Sequence, residues 1–151
     1  MSVPIEYLDT SAIIKRYVKE PGSDIVRNLF IKAYEGKIKI SFNVWNIGEL
    51  LGTIDRAFRT KRLTTAQYKL VRRRFIGETR RMIRLGITIV VPVNIYLLKE
   101  AWRMLEEQHI YVADALQIVT AKYLNADKFY TGDKILQNAA ENTGIQAILL
   151  A

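Results

Sequence analysis

Four carboxylates stand where an ordinary surface acid would not be placed. Asp9 directly follows the apolar run Ile5-Glu6-Tyr7-Leu8, so it lies at the carboxyl end of a first strand. Asp133 comes two residues after a second strand-like run, Asp127-Lys128-Phe129-Tyr130-Thr131. Glu49 sits inside Ile47-Gly48-Glu49-Leu50-Leu51, with Trp45 and Thr53 one helical turn away and no basic residue at that spacing to pair with. Asp114 interrupts the largely apolar stretch 110–121. A charge at the edge of a core costs free energy unless something compensates it. Local answers exist: Asp is a favoured N-cap, Asp133 suits a turn, and Asp114 near a helix N-terminus gains from the dipole. Glu49 is the hardest to explain in that way. If the four converge, they repel one another and raise each other's pKa unless a cation lies between them. Hard oxygen ligands without His or Cys select Mg²⁺ or Mn²⁺. An ion so held lowers the pKa of bound water and stabilises charge on a phosphodiester being cut.

Composition removes the competing chemistries. The chain has no cysteine and one histidine, His109, so thiolate zinc sites are excluded and Ser-His-Asp or Cys-His schemes are weakened. No apolar run reaches the roughly 18 residues of a membrane helix, and the first residues lack the basic start of a signal peptide. A cytoplasmic protein with no membrane contact is expected. Its 151 residues, half of them hydrophobic, suffice for one domain over 1–151.

The net charge of +8 is unevenly placed. Residues 55–84 hold eleven basic side chains, Arg72, Arg73 and Arg74 among them, against Asp55 and Glu78. The rest of the chain is close to neutral. Such asymmetry points to a polyanion or an acidic partner, or simply to a solvated helix face. The aromatics Phe58, Tyr68 and Phe75 are spaced as packing residues rather than as base-stacking platforms.

These residues need elements to hold them. The apolar spacing predicts strands at 5–8, 37–42, 87–93, 127–131 and 145–150. Helices are predicted at 10–19, 25–35, 44–59, 65–84, 94–108, 111–124 and 132–144. The 25–35 helix is expected to bury Ile25, Leu29 and Ala33, and the 65–84 helix Tyr68, Val71, Phe75, Met82 and Ile83. Ser23 or Asp24 is available to cap the former. Alternation of strands with helices means an α/β domain, a largely parallel sheet with helices on both faces. Sites in such sheets form at the carboxyl ends of the strands, where Asp9 and Asp133 fall.

Taken in order, these segments resemble the PIN-domain family. Tyr-Leu-Asp-Thr-Ser-Ala-Ile-Ile-Lys-Arg-Tyr (7–17) is similar to the family's opening motif. Asn-Ile-Gly-Glu-Leu-Leu (46–51), Val-Ala-Asp-Ala-Leu-Gln-Ile-Val-Thr-Ala (112–121) and Phe-Tyr-Thr-Gly-Asp-Lys-Ile-Leu (129–136) resemble its second, third and fourth motifs. By size the chain looks most like the VapC-type toxins of toxin–antitoxin pairs. The resemblance implies a three-layer α/β/α sandwich with a central, mostly parallel sheet. It implies an endoribonuclease that hydrolyses RNA phosphodiester bonds with Mg²⁺ or Mn²⁺, in a protein that forms a homodimer and is inhibited by a small antitoxin. Asp9, Glu49, Asp114 and Asp133 would be the metal and catalytic site. Ser11 and Thr131 would be supporting hydroxyls, and Lys15 would face the scissile phosphate. Arg72, Arg73 and Arg74 would contact RNA or the antitoxin. The chain departs from the family in having Tyr111 where a Ser or Thr often caps the third motif's helix, and Gln117 where a further acid or Asn is common.

Other functions are open on the residues alone. A housekeeping RNA-processing nuclease would carry the same acids. A non-catalytic nucleic-acid or protein-binding module would use them only as caps. An aspartyl phosphatase is disfavoured, because Ser11 stands where its second Asp would be and Gln137 breaks its late motif.

Overall fold

The computed structural model describes residues 2–151. Five parallel strands form one sheet: β1 (Ile5–Leu8), β2 (Lys39–Asn43), β3 (Thr88–Val91), β4 (Lys128–Thr131) and β5 (Ala147–Leu149). Their order is β3-β2-β1-β4-β5. The chain winds outward from β1 through β2 to β3, then returns to the other side of β1 for β4 and β5. The reversal falls between β1 and β4, and a crevice opens there beyond their carboxyl ends. Register fixes the neighbours of that crevice: Leu8 pairs with Tyr130, and the Asp9 amide donates to the Tyr130 carbonyl at 3.2 Å.

Seven helices flank the sheet: α1 (Thr10–Ile13), α2 (Ser23–Tyr34), α3 (Trp45–Arg59), α4 (Thr65–Arg84), α5 (Ile95–Gln108), α6 (Val112–Tyr123) and α7 (Lys134–Asn142). The result is the expected α/β/α sandwich. Central strands are covered on both faces, so β2 buries its last four residues in succession instead of alternating. Tyr7, Phe129, Ile40, Leu50, Phe75 and Ile118 anchor one continuous apolar core.

The structure corrects several expectations. The predicted 10–19 helix is only one α-turn, α1, followed by a 3₁₀ turn at Ile14–Arg16. Neither Ser23 nor Asp24 caps α2. The helix starts after Gly22 in a left-handed conformation (φ 92°), and the Ser23 hydroxyl accepts from the Glu20 amide instead. Two stripe residues face solvent: Ile25 and Ile83 are 42% and 46% exposed. Val26 and Phe30 fill the α2 core positions beside Leu29 and Ala33. The 65–84 helix matches its prediction at both ends, because Thr64 and Gln67 form a reciprocal capping box.

Two further acids, Glu6 and Glu78, are buried, and Glu78 is the one with charged and hydroxyl partners. Glu78 lies on α4 facing inward. Arg16 grips it with two bonds of 2.9 Å, and the Tyr17 and Tyr34 hydroxyls each donate at 2.9 Å. Burial alone would raise its pKa, but these donors override that and hold the carboxyl down at about 2. The group ties α2, the 3₁₀ turn and α4 together. Its signal in the sequence was a lone acid in an arginine-rich helix, which reads as surface.

Glu78→Gln leaves buried donors facing a neutral amide and is expected to cost about 3 kcal/mol, seen as a lower urea midpoint. The folded carboxyl titrates below its unfolded value of 4.5, so its stabilisation is full above that pH and is lost as pH falls towards 2. The acid limb of the stability curve should therefore flatten in the variant. Identical acid limbs in both proteins would refute this assignment.

Candidate active site

Asp9 is built into the junction of β1 and α1. Its extended backbone (ψ 178°) ends the strand, and its side chain caps α1 through the Ala12 amide at 2.9 Å. Ser11 donates to the same oxygen, Oδ1, at 2.6 Å, and Thr131 donates to Oδ2 at 2.6 Å. Ser11 in turn accepts from the Gly132 amide at 2.7 Å. The two strand ends on either side of the reversal are thus laced through one carboxylate. A Cβ on Gly132 would come within 3.3 Å of the Ser11 hydroxyl oxygen, so a larger residue there would crowd the hydroxyl that holds Asp9. Ser11 and Thr131 hold Asp9 in place.

Asp133 caps α7, its Oδ1 accepting from the amides of Ile135 (2.9 Å) and Leu136 (3.4 Å). Its own amide donates to Thr131 at 3.0 Å. Glu49 is on the first half of α3, and Thr10 donates to its Oε1 at 2.7 Å. Asp114 lies in the first turn of α6. Tyr111 stands at that helix start without a side-chain cap.

The four carboxylates line one cavity of about 750 Å³ at the carboxyl end of the sheet. Burial pushes the Asp9 carboxyl up to about 6, against the three protein donors that lower it, and the charge of Asp114 adds to the rise. Asp114 is also pushed up to about 6, first by burial and then by the charges of Asp133 and Glu49. The groups therefore feel one another. Among the described residues, no three Asp, Glu or His side chains are gathered tightly enough to hold a metal ion as they stand.

The donor set nevertheless fits a hard divalent ion. A carboxylate offers about four lone-pair sites. Asp9 has three engaged by protein donors, all from Ser11, Ala12 and Thr131. Glu49 and Asp133 each accept through one oxygen and leave the other unengaged. Asp114 accepts from no protein donor among the described residues. The capping and ligand readings are therefore compatible.

Beneath the cavity runs a polar layer that spacing and composition do not reveal. Tyr7 and Asn46 both donate to the Gln117 side-chain oxygen, at 2.7 and 2.8 Å. Asn46 also donates to Thr10 at 3.0 Å, and Thr10 passes the contact to Glu49. Gln117 is 2% exposed, lines the cavity, and its Nε2 has no partner among the described residues. The departure at position 117 is thus a buried amide donor at the cavity wall rather than a lost acid.

Basic side chains also border the cavity. Lys15 lines it, but its ammonium pairs with Glu20 at 3.1 Å. Arg72, Arg73 and Arg74 do not line it. Arg56, Arg59 and Arg62 do. Arg56 lies seven residues after Glu49 on α3, two helical turns along the same face, and that spacing was the available signal.

A parallel sheet whose reversal point carries four carboxylates and no sulfur or imidazole defines a class: α/β/α proteins with an all-oxygen site. The family follows from the chain itself. The PIN domain model matches residues 7–142, and the chain belongs to the PIN-domain family. PIN domains are generally nucleases that use divalent metal ions. No curated protein sequence matches the chain. Among solved structures it is similar to FitAcB from Neisseria gonorrhoeae, with a TM-score of 0.67 and 18% identity over 95% of this chain and 96% of that one. VapC20 of Mycobacterium tuberculosis, described as a sarcin–ricin loop cleaving toxin, has a TM-score of 0.63 and 16% identity over 93% and 95%. VapBC2 from Rickettsia felis, solved with a promoter DNA fragment, has a TM-score of 0.62 and 15% identity over 97% and 99%. Among the described residues, no helix is long and apolar enough to cross a membrane.

Asp114 is expected to titrate near pH 6 in a ¹³C carboxyl NMR experiment. Asp133→Asn should move it down towards the ordinary Asp value, because one neighbouring charge is gone. An unmoved Asp114 would show that the carboxylates do not share the cavity electrostatically.

Proposed function

We propose that this protein is a Mg²⁺- or Mn²⁺-dependent endoribonuclease, acting as the toxin of a toxin–antitoxin pair. The observation that carries the reading is the cavity at the β1/β4 reversal, where four carboxylates each keep at least one acceptor site unengaged. Asp9, Glu49, Asp114 and Asp133 would hold the ion. When bound, that ion supplies an activated water and stabilises charge on the phosphodiester.

The chain's own residues do the rest. Ser11, Thr131 and the Ala12 amide hold Asp9 in one rotamer, which removes the reorganisation that a mobile ligand would need. Thr10 and Asn46 orient Glu49 from below. Arg56, with no acid paired to it among the described residues, and Arg62 offer guanidinium groups to phosphates at the cavity mouth. Lys15 lines the same cavity with its ammonium held by Glu20. The likeness to VapC20 and VapBC2 supports the toxin reading and an antitoxin partner. Exposed Ile95, Tyr96, Tyr111 and Tyr123 on and beside α5 and α6 offer a surface for the expected homodimer. A cytoplasmic location accords with RNA as substrate.

Asp9→Asn or Asp133→Asn should reduce metal-dependent cleavage of RNA to background while circular dichroism stays native, and EDTA should do the same to the parent chain. Full activity in both variants would sink the metal-site assignment. Arg56→Ala should raise KM severalfold with little change in kcat, as expected for a substrate-binding contact. A second readout needs no substrate. Asp9 and Asp114 are raised from 3.8 to about 6 in the fold, so their contribution to stability falls as pH rises from about 3.8 to about 6 and is fully lost above that. Mn²⁺ should therefore raise Tm more at pH 7.5 than at pH 5 (buffer values on the order of one to two units either side of the titration). Equal shifts at both would remove these two carboxylates from the ion's ligand set.

A further inference from the structure

The outer face of α4 carries basic clefts that lie apart from the acid cavity yet join onto it. One cleft is formed by Arg73, Arg74, Gly77, Arg81 and Arg84 of α4 with Arg16. Its residues recur at helical spacing along one stripe about 16 Å long. A second, bordered by Lys69, Arg72, Arg73 and Arg80, shares Gly77 and Arg73 with the first. A third, holding Lys15, Arg27 and Arg74, shares Arg16 and Arg74 with the first and Lys15 with the acid cavity. Neighbouring clefts thus share lining residues from the acid cavity, at Lys15 with its partner Glu20, to the far end of α4.

Charge and shape on this path are both specific. Within the three α4 clefts Glu78 is the one acid, and Arg16 already neutralises it; where they meet the acid cavity, Glu20 pairs with Lys15. Among the described residues, Arg72, Arg73, Arg74, Arg80 and Arg84 form no ion pair. Gly77 stands in the middle of α4, where glycine weakens a helix relative to alanine. Packing does not require it, since a Cβ there would meet nothing within 4 Å. A glycine that the fold does not need, set between unpaired arginines at the shared edge of two clefts, leaves room for a ligand to come close to the helix.

We propose that this path binds the phosphate backbone of single-stranded RNA extending from the cleavage site, so that α4 holds the substrate's flank while the acid cavity holds the scissile bond. The assignment rests on the ribonuclease reading above. RNA fits better than an acidic protein because the path leads into the cavity where a phosphodiester would be cut, and because its lining is dominated by guanidinium groups that suit phosphates.

The test compares 5′-labelled RNAs of 6 and 20 nucleotides (about the cavity alone and the cavity plus the path) by anisotropy in EDTA, so that binding is read without cleavage. Arg73→Gln/Arg84→Gln should weaken the 20-mer about tenfold, weaken the 6-mer less than twofold, and make the salt slope of the 20-mer shallower by about 1.4. Gly77→Ala should raise Tm by about 2 °C and yet weaken the 20-mer severalfold, which a merely structural role would not do. Unchanged 20-mer affinity in both variants would overturn the proposal. So would variants that keep RNA binding but lose capture of a polyglutamate probe, since the face would then be one for an acidic protein. Failure of the parent chain to cut any RNA with Mg²⁺ or Mn²⁺ would instead sink the ribonuclease reading, and the binding comparison in EDTA would remain interpretable.

Discussion

The site depends on one buried carboxylate at a chain reversal. Asp9 ends β1, starts α1 and accepts from Thr131 on β4, the strand that follows more than a hundred residues later. Parallel strands are not joined by hairpins, so nothing local sets their ends at matching heights. The β1–β4 register does so in the sheet, and the Asp9–Thr131 bond, with Ser11 bridging to Gly132, does so at its rim. An unpaired carboxylate at that depth would be costly, and its three donors are what make it tolerable. They also fix the point from which the other acids are placed.

Each of those acids belongs to a different segment, and each is placed by a device that also starts or supports a helix. Asp133 begins α7 and Asp114 sits in the first turn of α6. Glu49 is steered through Thr10 and Asn46 from the layer that includes Tyr7 and Gln117. Helix N-termini favour negative charge, so aiming them at one crevice lowers the cost of gathering like charges. The raised pKa values of Asp9 and Asp114 show that the compensation is incomplete. Burial is the larger cause and the neighbouring charges add to it, so a cation placed among these carboxylates would relieve both.

Much of this was legible in the sequence, for physical reasons. Strand–helix alternation is a strong signal because a parallel sheet needs a crossover after every strand. Asp9 and Asp133 stood out because they follow strand-like runs, and Glu49 and Asp114 because they interrupt apolar helical stretches. What escaped was set by tertiary partners. Glu78 reads as one acid among arginines until Tyr17 and Tyr34 are seen to meet it. Asn46 looks like an ordinary helix-start residue until Gln117, far along the chain, becomes its acceptor. The 10–19 helix was overextended because periodicity continues through the 3₁₀ turn, where side chains are still buried. Ile25 and Ile83 satisfy the helical spacing but fall at the edge of their apolar stripes. The arginines at the cavity proved to be Arg56, Arg59 and Arg62, since charge density alone does not say which face of which helix meets the site.

Helix α4 has two unlike sides. Inward, Glu78, Phe75 and Met82 lock it to the core, and the capping box fixes its first turn. Outward, its arginines are solvent-facing and largely free of structural partners. Substitutions on the outer side leave the inner contacts intact, so that face can drift in sequence without threatening the fold or the carboxylate cluster. A lineage built on this frame can therefore exchange one recognition surface for another while the chemistry stays fixed, and divergence among its members should gather on that exposed stripe.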